Sequence, residues 1–297
     1  MSEHHHKPTS YNRSFILGIL LNSGFVIVEA TYGFLGNSIA LLADAGHNLS
    51  DVLGLILAWS AHWLVKMPPT QRYTYGLRRS SIMAAMLNAS LLMLAMGAIA
   101  TESIQRLTHP LPVAEYQVIG VALVGILVNT FTALLFMSGK EKDLNIKAAF
   151  LHMATDALVS VGVVLAGVAI LVTGWLWFDP VVSLIIVVVI IFGTWGLLRD
   201  SVNLALDAVP KTIEPLAVRT YLADLPGVVA VHDLHIWAMS TTENALTAHL
   251  VMPTGNPGDA FLSRINLELH HNFDIDHTTI QVETGNSILP CQQKHCS

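Results

Sequence analysis

The chain has 297 residues, of which 53% are hydrophobic and 12% are charged, and its formal net charge is −6. Soluble domains average about 25% charged residues, so this composition excludes an ordinary soluble protein, and the negative charge argues against a nucleic-acid-binding protein. The two cysteines, Cys291 and Cys296, both lie in the last seven residues, which excludes a disulfide scaffold.

Apolar segments of roughly 20 residues recur through the first two thirds of the chain, and each is long enough to span a bilayer. Short polar segments, several with Pro or Gly, separate them. Six spans are predicted, near residues 14–34, 38–65, 80–106, 114–137, 147–173 and 180–205. The sequence therefore predicts an integral, multi-pass membrane protein, with an N-terminal tail at 1–13 and a six-helix transmembrane domain at 14–208.

Basic residues predict the orientation of these spans, because cytoplasmic loops are enriched in Lys and Arg. Up to residue 200 they are Lys7, Arg13, Lys66, Arg72, Arg78, Arg79, Arg106, Lys140, Lys142, Lys147 and Arg199. With six spans, all of them except Arg106 fall on one side of the membrane. That side is predicted to be cytoplasmic, so both termini are expected inside the cell, with the protein in the inner or plasma membrane.

The composition changes near Pro210, where the long apolar segments end. Periodicity and turn signals then predict the order αββαβ. The predicted elements are a helix at 212–224, strands at 228–237 and 245–251, a helix at 259–273 and a strand at 278–282. We expect a small cytoplasmic α+β domain at 209–284, followed by a cysteine-containing tail at 285–297.

Two short sequence motifs inside the apolar segments carry most of the functional information. His47 and Asp51 lie in the second span, and His152 and Asp156 lie in the fifth. The i, i+4 spacing places each pair on one helix face, and an ionisable group inside a membrane costs at least about 2.5–3.5 kcal/mol. Facing pairs would supply two nitrogens and two oxygens, a complete tetrahedral set for a Zn²⁺-like ion. The alternative is that these groups only form hydrogen bonds to other helices.

Mixed imidazole and carboxylate ligands favour Zn²⁺, with Co²⁺ or Cd²⁺ as alternatives. A metal-bound His must be neutral, whereas an empty His beside carboxylates can take up a proton. The predicted function is therefore export of Zn²⁺ in exchange for H⁺ by alternating access. A passive metal channel and an intramembrane metallohydrolase are the alternatives. The hydrolase is disfavoured because the sequence has no His-Glu-x-x-His motif and four protein ligands would close the site, so we expect no enzyme.

Two further acidic residues fall inside predicted spans. Asp44 lies one turn before His47 and would line the outer exit from the site. Glu29 in the first span is either an ion-path group or a hydrogen-bond partner for a neighbouring helix.

The segments Ser38–Asp51 and Val231–Trp237, together with the His152/Asp156 pair, resemble the cation diffusion facilitator family. The resemblance covers nearly the whole chain and is closest to the zinc-exporting branch. It implies a homodimeric metal/proton antiporter with six helices per protomer and a ferredoxin-like, metallochaperone-like cytoplasmic domain. It also implies that the two His/Asp pairs form the transport site.

The resemblance further implies a second metal site in the cytoplasmic domain. Matching positions are His232, His249 and Glu283, with Cys291, Cys296 and His277 as candidates to complete the site. Ordinary polarity on the surface of a sheet is the alternative for the two strand histidines. Metal loading there would tighten the dimer and favour transport.

The family also pairs a basic residue after the second span with an acidic one after the sixth. Arg79 and Asp207 resemble those positions and would lock the dimer near the inner membrane surface. Some relatives carry a metal site of His and Asp in the loop between the second and third spans. Here the loop from Lys66 to Arg79 has neither residue type, so we expect no metal there.

Overall fold

The structure is a computed structural model that describes residues 12–137, 144–255 and 257–285. The first part of the chain forms six long helices: α1 (Asn12–Leu35), α2 (Ile39–Val65), α3 (Ser80–Thr108), α4 (Glu115–Met137), α5 (Leu144–Thr173) and α6 (Phe178–Ala205). The rest forms α7 (Pro215–Ala223), β1 (Ala230–Ala238), β2 (Asn244–Val251), α8 (Asp259–Phe273) and β3 (His277–Glu283).

Five helices, α2 to α6, are long and apolar enough to cross a membrane, and α1 contributes a shorter described apolar stretch, Leu20–Leu35. The six helices begin and end within a few residues of the predicted spans. The expected membrane helix bundle followed by a small α+β domain is confirmed.

The chain divides into two compact units, and α2, α3 and α6 contribute to both. The first unit, Met1–Ile56 with Asn88–Gly196, contains the core of the bundle. Its buried apolar side chains include Phe25, Leu41, Met96, Val163 and Ile190. Small residues let the helices approach closely: a Cβ on Gly125 would lie 2.7 Å from the Phe25 ring and 2.9 Å from Ser160 Oγ.

A carboxylate from the start of α6 caps the N-terminus of α2. Asp179 accepts hydrogen bonds from the Ser38 hydroxyl and from the backbone N–H of Ile39 at 2.8 Å. These groups are buried, and Asp179 is only 2% exposed. The first N–H groups of a helix have no partner within the helix and favour an anion, so the ends of α2 and α6 stabilise each other.

The second unit, Leu57–Leu87 with Leu197–Ser297, contains the α+β domain. Its sheet has the order β1-β2-β3, with β1 antiparallel and β3 parallel to β2, and α8 makes the crossover to β3. Leu222, Leu246, Leu250, Ile265 and Leu269 are fully buried in its core. The helix predicted at 212–224 corresponds to α7, which is shorter because Glu214 is its N-cap and Pro215 its first residue.

Replacing Asp179 should destabilise the bundle. Asp179→Ala leaves buried hydroxyl and N–H donors without their acceptor, which costs about 1–3 kcal/mol in the free energy of unfolding. We expect a clearly lower melting temperature for the purified protein in detergent. Glu102→Ala is the control, because Glu102 is nearly half exposed and its i, i+4 pair with Arg106 in α3 is worth at most about 1 kcal/mol. Equal losses in the two variants would contradict a capping role for Asp179.

Candidate metal centres

Two pairs of side chains, one from α2 and one from α5, meet inside the first unit. His47 and Asp51 project from α2, and His152 and Asp156 project from α5. His152 Nε2 lies 3.0 Å from Asp51 Oδ2, and His47 Nε2 lies 3.4 Å from Asp156 Oδ1. The structure therefore brings together all four residues on which the transport prediction depends.

Three residues of this quartet lie close enough to share one ion, because His47, His152 and Asp156 each offer a ligand atom within 4.8 Å of the others. The two pairs on the same helix are 3.8 Å apart, from His47 Nε2 to Asp51 Oδ2, and 3.7 Å apart, from His152 Nε2 to Asp156 Oδ2. In a tetrahedral zinc site with bonds of about 2.0–2.2 Å, neighbouring ligand atoms lie about 3.3–3.6 Å apart. The observed nitrogen–oxygen distances of 3.0–3.8 Å span that range. They involve both oxygens of Asp156, and Asp51 joins through its contacts with the two imidazoles.

Burial differs across the quartet. Asp156 is 1% exposed, whereas the His152 side chain is 40% exposed. Among the described residues, the buried atom Asp156 Oδ1 has no hydrogen-bond donor, although His47 is nearby. A buried carboxylate oxygen without a donor is costly unless a cation binds it. The chemistry of the donor set and this oxygen both fit a divalent metal ion.

A second polar cluster lies beside the quartet in the bundle. Asn48 Nδ2 donates to Glu29 Oε2 at 3.0 Å and lies 3.4 Å from Asp44 Oδ1, while the Ser160 hydroxyl donates to Asp44 Oδ2 at 3.1 Å. The sequence identified the two acidic residues, and the structure adds Asn48 and Ser160. The roles of Asn48 and Ser160 could not be predicted from the sequence, because they depend on which faces of α1, α2 and α5 are in contact.

In the cytoplasmic domain, three predicted ligands converge at one end of the sheet. His232 and His249 are direct partners on β1 and β2, and their ring centroids are 5.1 Å apart. Glu283 at the end of β3 lies 3.2 Å from His232 Nε2 and 2.9 Å from His249 Nδ1. One ligand atom from each residue falls within 4.8 Å of the others, which is close enough to share an ion.

Asp233 joins this cluster and was missed from the sequence. Strict alternation along β1 would place it on the face opposite His232. A register shift between His232 and His235, with φ of 50° at Asp233, instead turns its carboxylate to within 3.5 Å of His249 Nε2. Bulges of this kind re-aim a side chain, and nothing in the residue types of β1 predicts one.

Electrostatics in this cluster favour the ionised carboxylate. Burial raises the pKa of Glu283, but hydrogen bonds from His232 and Gln281 and the nearby imidazoles outweigh burial and lower this pKa. Glu283 is therefore negatively charged at neutral pH, as a metal ligand must be.

Of the three remaining predicted ligands, only His277 lies among the described residues. His277 begins β3 opposite Ala245, six residues before Glu283, so it lies at the far end of the strand, roughly 20 Å away. Its ring packs edge-on against Tyr75, which is a structural contact. Cys291 and Cys296 lie outside the residues that the structure describes.

Arg79 and Asp207 form an ion pair within one chain, between the start of α3 and the residues just after α6. Beside it, Arg78 Nη1 donates to Glu243 Oε2 at 2.8 Å. Both pairs lie within the second unit. They fasten the ends of helices to each other and to the loop between β1 and β2.

Two family models match the chain, one after the other. The model of the cation efflux transmembrane domain matches residues 15–204. The model of the cation efflux protein cytoplasmic domain matches residues 210–285. Together they cover nearly all residues of the elements from α1 to β3.

Curated relatives match almost from end to end. The cadmium, cobalt and zinc/H⁺–K⁺ antiporter of Bacillus subtilis is 35% identical over 301 residues, covering 98% of this chain and 96% of the relative. The metal cation efflux system protein CzcD of Cupriavidus metallidurans is 35% identical, with 97% and 90% covered. The zinc transporter ZitB of Escherichia coli is also 35% identical, with 98% and 92% covered.

Removing one carboxylate of the quartet should weaken zinc binding. For Asp156→Asn we expect the dissociation constant of Zn²⁺ in detergent to rise by about 100-fold or more, because even partners that only orient a metal ligand are worth roughly 10–100-fold. Titration calorimetry measures the change. Asp224→Asn, which changes an exposed residue just after α7, should leave this constant unchanged. Unaltered binding in Asp156→Asn would remove this residue from the site.

Proposed function

The chain belongs to the cation efflux family, and on that premise we propose that it exports Zn²⁺ in exchange for protons by alternating access. It is a multi-pass membrane transporter of divalent transition metals and not an enzyme. Zn²⁺ is the proposed main substrate. Cd²⁺ and Co²⁺ are proposed as further substrates, because the names of the relatives include them.

The transport site is proposed to be the quartet His47, Asp51, His152 and Asp156. One observation carries this assignment: four side chains from α2 and α5 converge with nitrogen–oxygen distances of 3.0–3.8 Å. Two imidazoles and two carboxylates would neutralise Zn²⁺ and complete a tetrahedron. Exchange for protons follows from the same chemistry, because imidazole nitrogens must lose protons before they bind the metal.

The rival functions fit this geometry less well. A hydrolase needs an open coordination position for water, whereas four protein ligands close the site. A channel needs weak binding at several sites so that ions leave quickly. A closed site of four ligands holds its ion until the helices move, as an exchanger requires.

Residues 14–208 are proposed as the transmembrane domain and 209–284 as the cytoplasmic domain, with the tails at 1–13 and 285–297 also inside the cell. The support is the distribution of Lys and Arg, which places only Arg106 on the opposite side. Export from the cytoplasm across the inner or plasma membrane then serves zinc homeostasis.

The protein is proposed to act as a homodimer, and the Arg79–Asp207 ion pair is proposed to lock the dimer near the inner membrane surface. The cytoplasmic cluster of His232, His249 and Glu283 is proposed to bind regulatory Zn²⁺. Its residues are each about one quarter exposed, so an ion can reach them from solvent. Neutralising Glu283 and its neighbours with metal would bring two cytoplasmic domains together and favour transport.

Losing an imidazole of the quartet should abolish exchange. His152→Ala removes one ligand and one proton acceptor, so we expect no zinc uptake into everted vesicles with an acidic interior, measured with a zinc-sensitive dye. The matched control is Thr155→Ala on α5, an exposed residue whose hydroxyl donates to the backbone carbonyl of Leu151 on its own helix. Undiminished uptake in His152→Ala would defeat the proposed exchange mechanism.

The cytoplasmic cluster gives a second test that does not need transport. Zn²⁺ should raise the melting temperature of the 210–297 fragment, because binding to the folded state alone stabilises it. The double substitution His232→Ala and His249→Ala should remove this rise. His270→Ala on α8, whose side chain pairs with Asp276, should retain it. A rise of equal size in the double variant would show that other residues bind the metal.

A further inference from the structure

Two acidic side chains lie in full burial next to the quartet but are not part of it. Glu29 on α1 and Asp44 on α2 are both 0% exposed. The side chain of Asn48 bridges them: its amide nitrogen lies 3.0 Å from Glu29 Oε2 and 3.4 Å from Asp44 Oδ1. Ser160 on α5 donates to the remaining oxygen of Asp44 at 3.1 Å. Three helices thus converge on a pair of carboxyl groups.

Among the described residues, no Lys or Arg lies in the helical segments around these two carboxyl groups. α1 from residue 14 onward, all of α2, all of α4 and α5 after Lys147 contain no Lys or Arg. The titratable groups that face the pair from neighbouring positions are His47 on α2 and Asp156 on α5. Two buried negative charges with so little compensation are prohibitively costly, so the pair must share at least one positive charge.

The pattern of hydrogen bonds indicates what that charge is. Donors from Asn48 and Ser160 already serve three of the four carboxyl oxygens, as described above. The fourth, Glu29 Oε1, is buried and has no hydrogen-bond partner among the described residues. A metal ion needs several open ligand atoms with space around them, whereas a proton needs one oxygen. The ligand set also lacks the imidazole nitrogens that favour Zn²⁺ in the quartet.

We propose that Glu29, held against Asp44, binds a further proton that is exchanged for the metal, in addition to those released by the quartet's imidazoles and at a position separate from the four metal-binding side chains. An O–H bond forms on Glu29 as the proton enters from the acidic side, and it breaks as the proton leaves on the other side. No other bond changes and no electron is transferred. The proposal rests on the proposed exchange function, and it adds a residue outside the quartet that carries a proton.

The test compares Glu29→Gln with the wild type in everted vesicles. Gln has nearly the same shape as Glu but does not bind and release a proton. Zinc uptake driven by an acidic interior should fall by about tenfold or more, which corresponds to about 1.4 kcal/mol or more of lost coupling. Exchange of isotopic zinc for zinc at equal pH should continue, because the quartet is intact. Zinc affinity in detergent should stay within about twofold of the wild type.

Two further variants separate coupling from folding. Glu29→Asp keeps an ionisable carboxyl group and should restore a large part of the response to the pH gradient. Glu102→Gln makes the same chemical change on an exposed residue of α3 and should behave like the wild type. All variants are checked for wild-type elution from a size-exclusion column. If Glu29→Gln does not pass this check, Asp44→Asn takes its place. Loss of the neighbouring negative charge weakens proton binding at Glu29, so the response to the pH gradient should fall while zinc affinity stays within about twofold of the wild type.

The outcomes distinguish this proposal from the broader one. Absence of zinc flux in the wild type would refute the proposed function itself. Normal flux with an unchanged pH response in Glu29→Gln would overturn only the role of Glu29. A third series imposes a K⁺ gradient at constant pH. If Glu29→Gln abolishes a K⁺ response and retains the pH response, the cluster binds K⁺, and the assignment to a proton is wrong.

Discussion

Four acidic side chains of the described residues, Glu29, Asp44, Asp156 and Asp179, are buried in an apolar helix bundle. Each buried acid must find donors or a cation, because lipid and apolar side chains offer neither. Asp179 meets this need with the free N–H groups of α2. Asp156 faces His47, and Asp44 is held with Glu29 through shared hydrogen bonds. Asp179 therefore caps a helix. The clusters around Asp156 and Asp44 lack full compensation of their negative charge and suit exchangeable cations.

Acidic side chains with a full set of hydrogen-bond donors stabilise the fold, whereas those with a buried oxygen that lacks a donor belong to the proposed functional clusters. Asp179 has a complete set of protein donors, so a metal or proton would gain little there. Asp156 Oδ1 and Glu29 Oε1 are buried oxygens without a donor in the described part of the chain. They belong to clusters of different chemistry, one with imidazole nitrogens and one with oxygens and a single amide. The first suits a transition metal and the second suits a proton.

Features that depend on local periodicity could be predicted from the sequence. The six helices and the αββαβ order follow from apolar spacing, and the spacing of His152 and Asp156 predicts a shared helix face. Features that depend on contacts far apart in sequence were not predictable. The cap of Asp179 on α2 joins residues about 140 positions apart. The bulge that brings Asp233 to His249, and the register that separates His277 from Glu283, are set by pairing between strands.

The two membrane clusters share the elements that would couple them. Asn48 directly follows His47 on α2, and Ser160 lies one turn after Asp156 on α5. A displacement of α5 relative to α2 that opens the metal quartet would therefore also alter the bond from Ser160 to Asp44. Metal binding and proton binding would then change each other's affinity through one rigid movement, and this coupling must be reciprocal. Exchange needs such linkage between sites, and it does not require the two cations to compete for the same atoms.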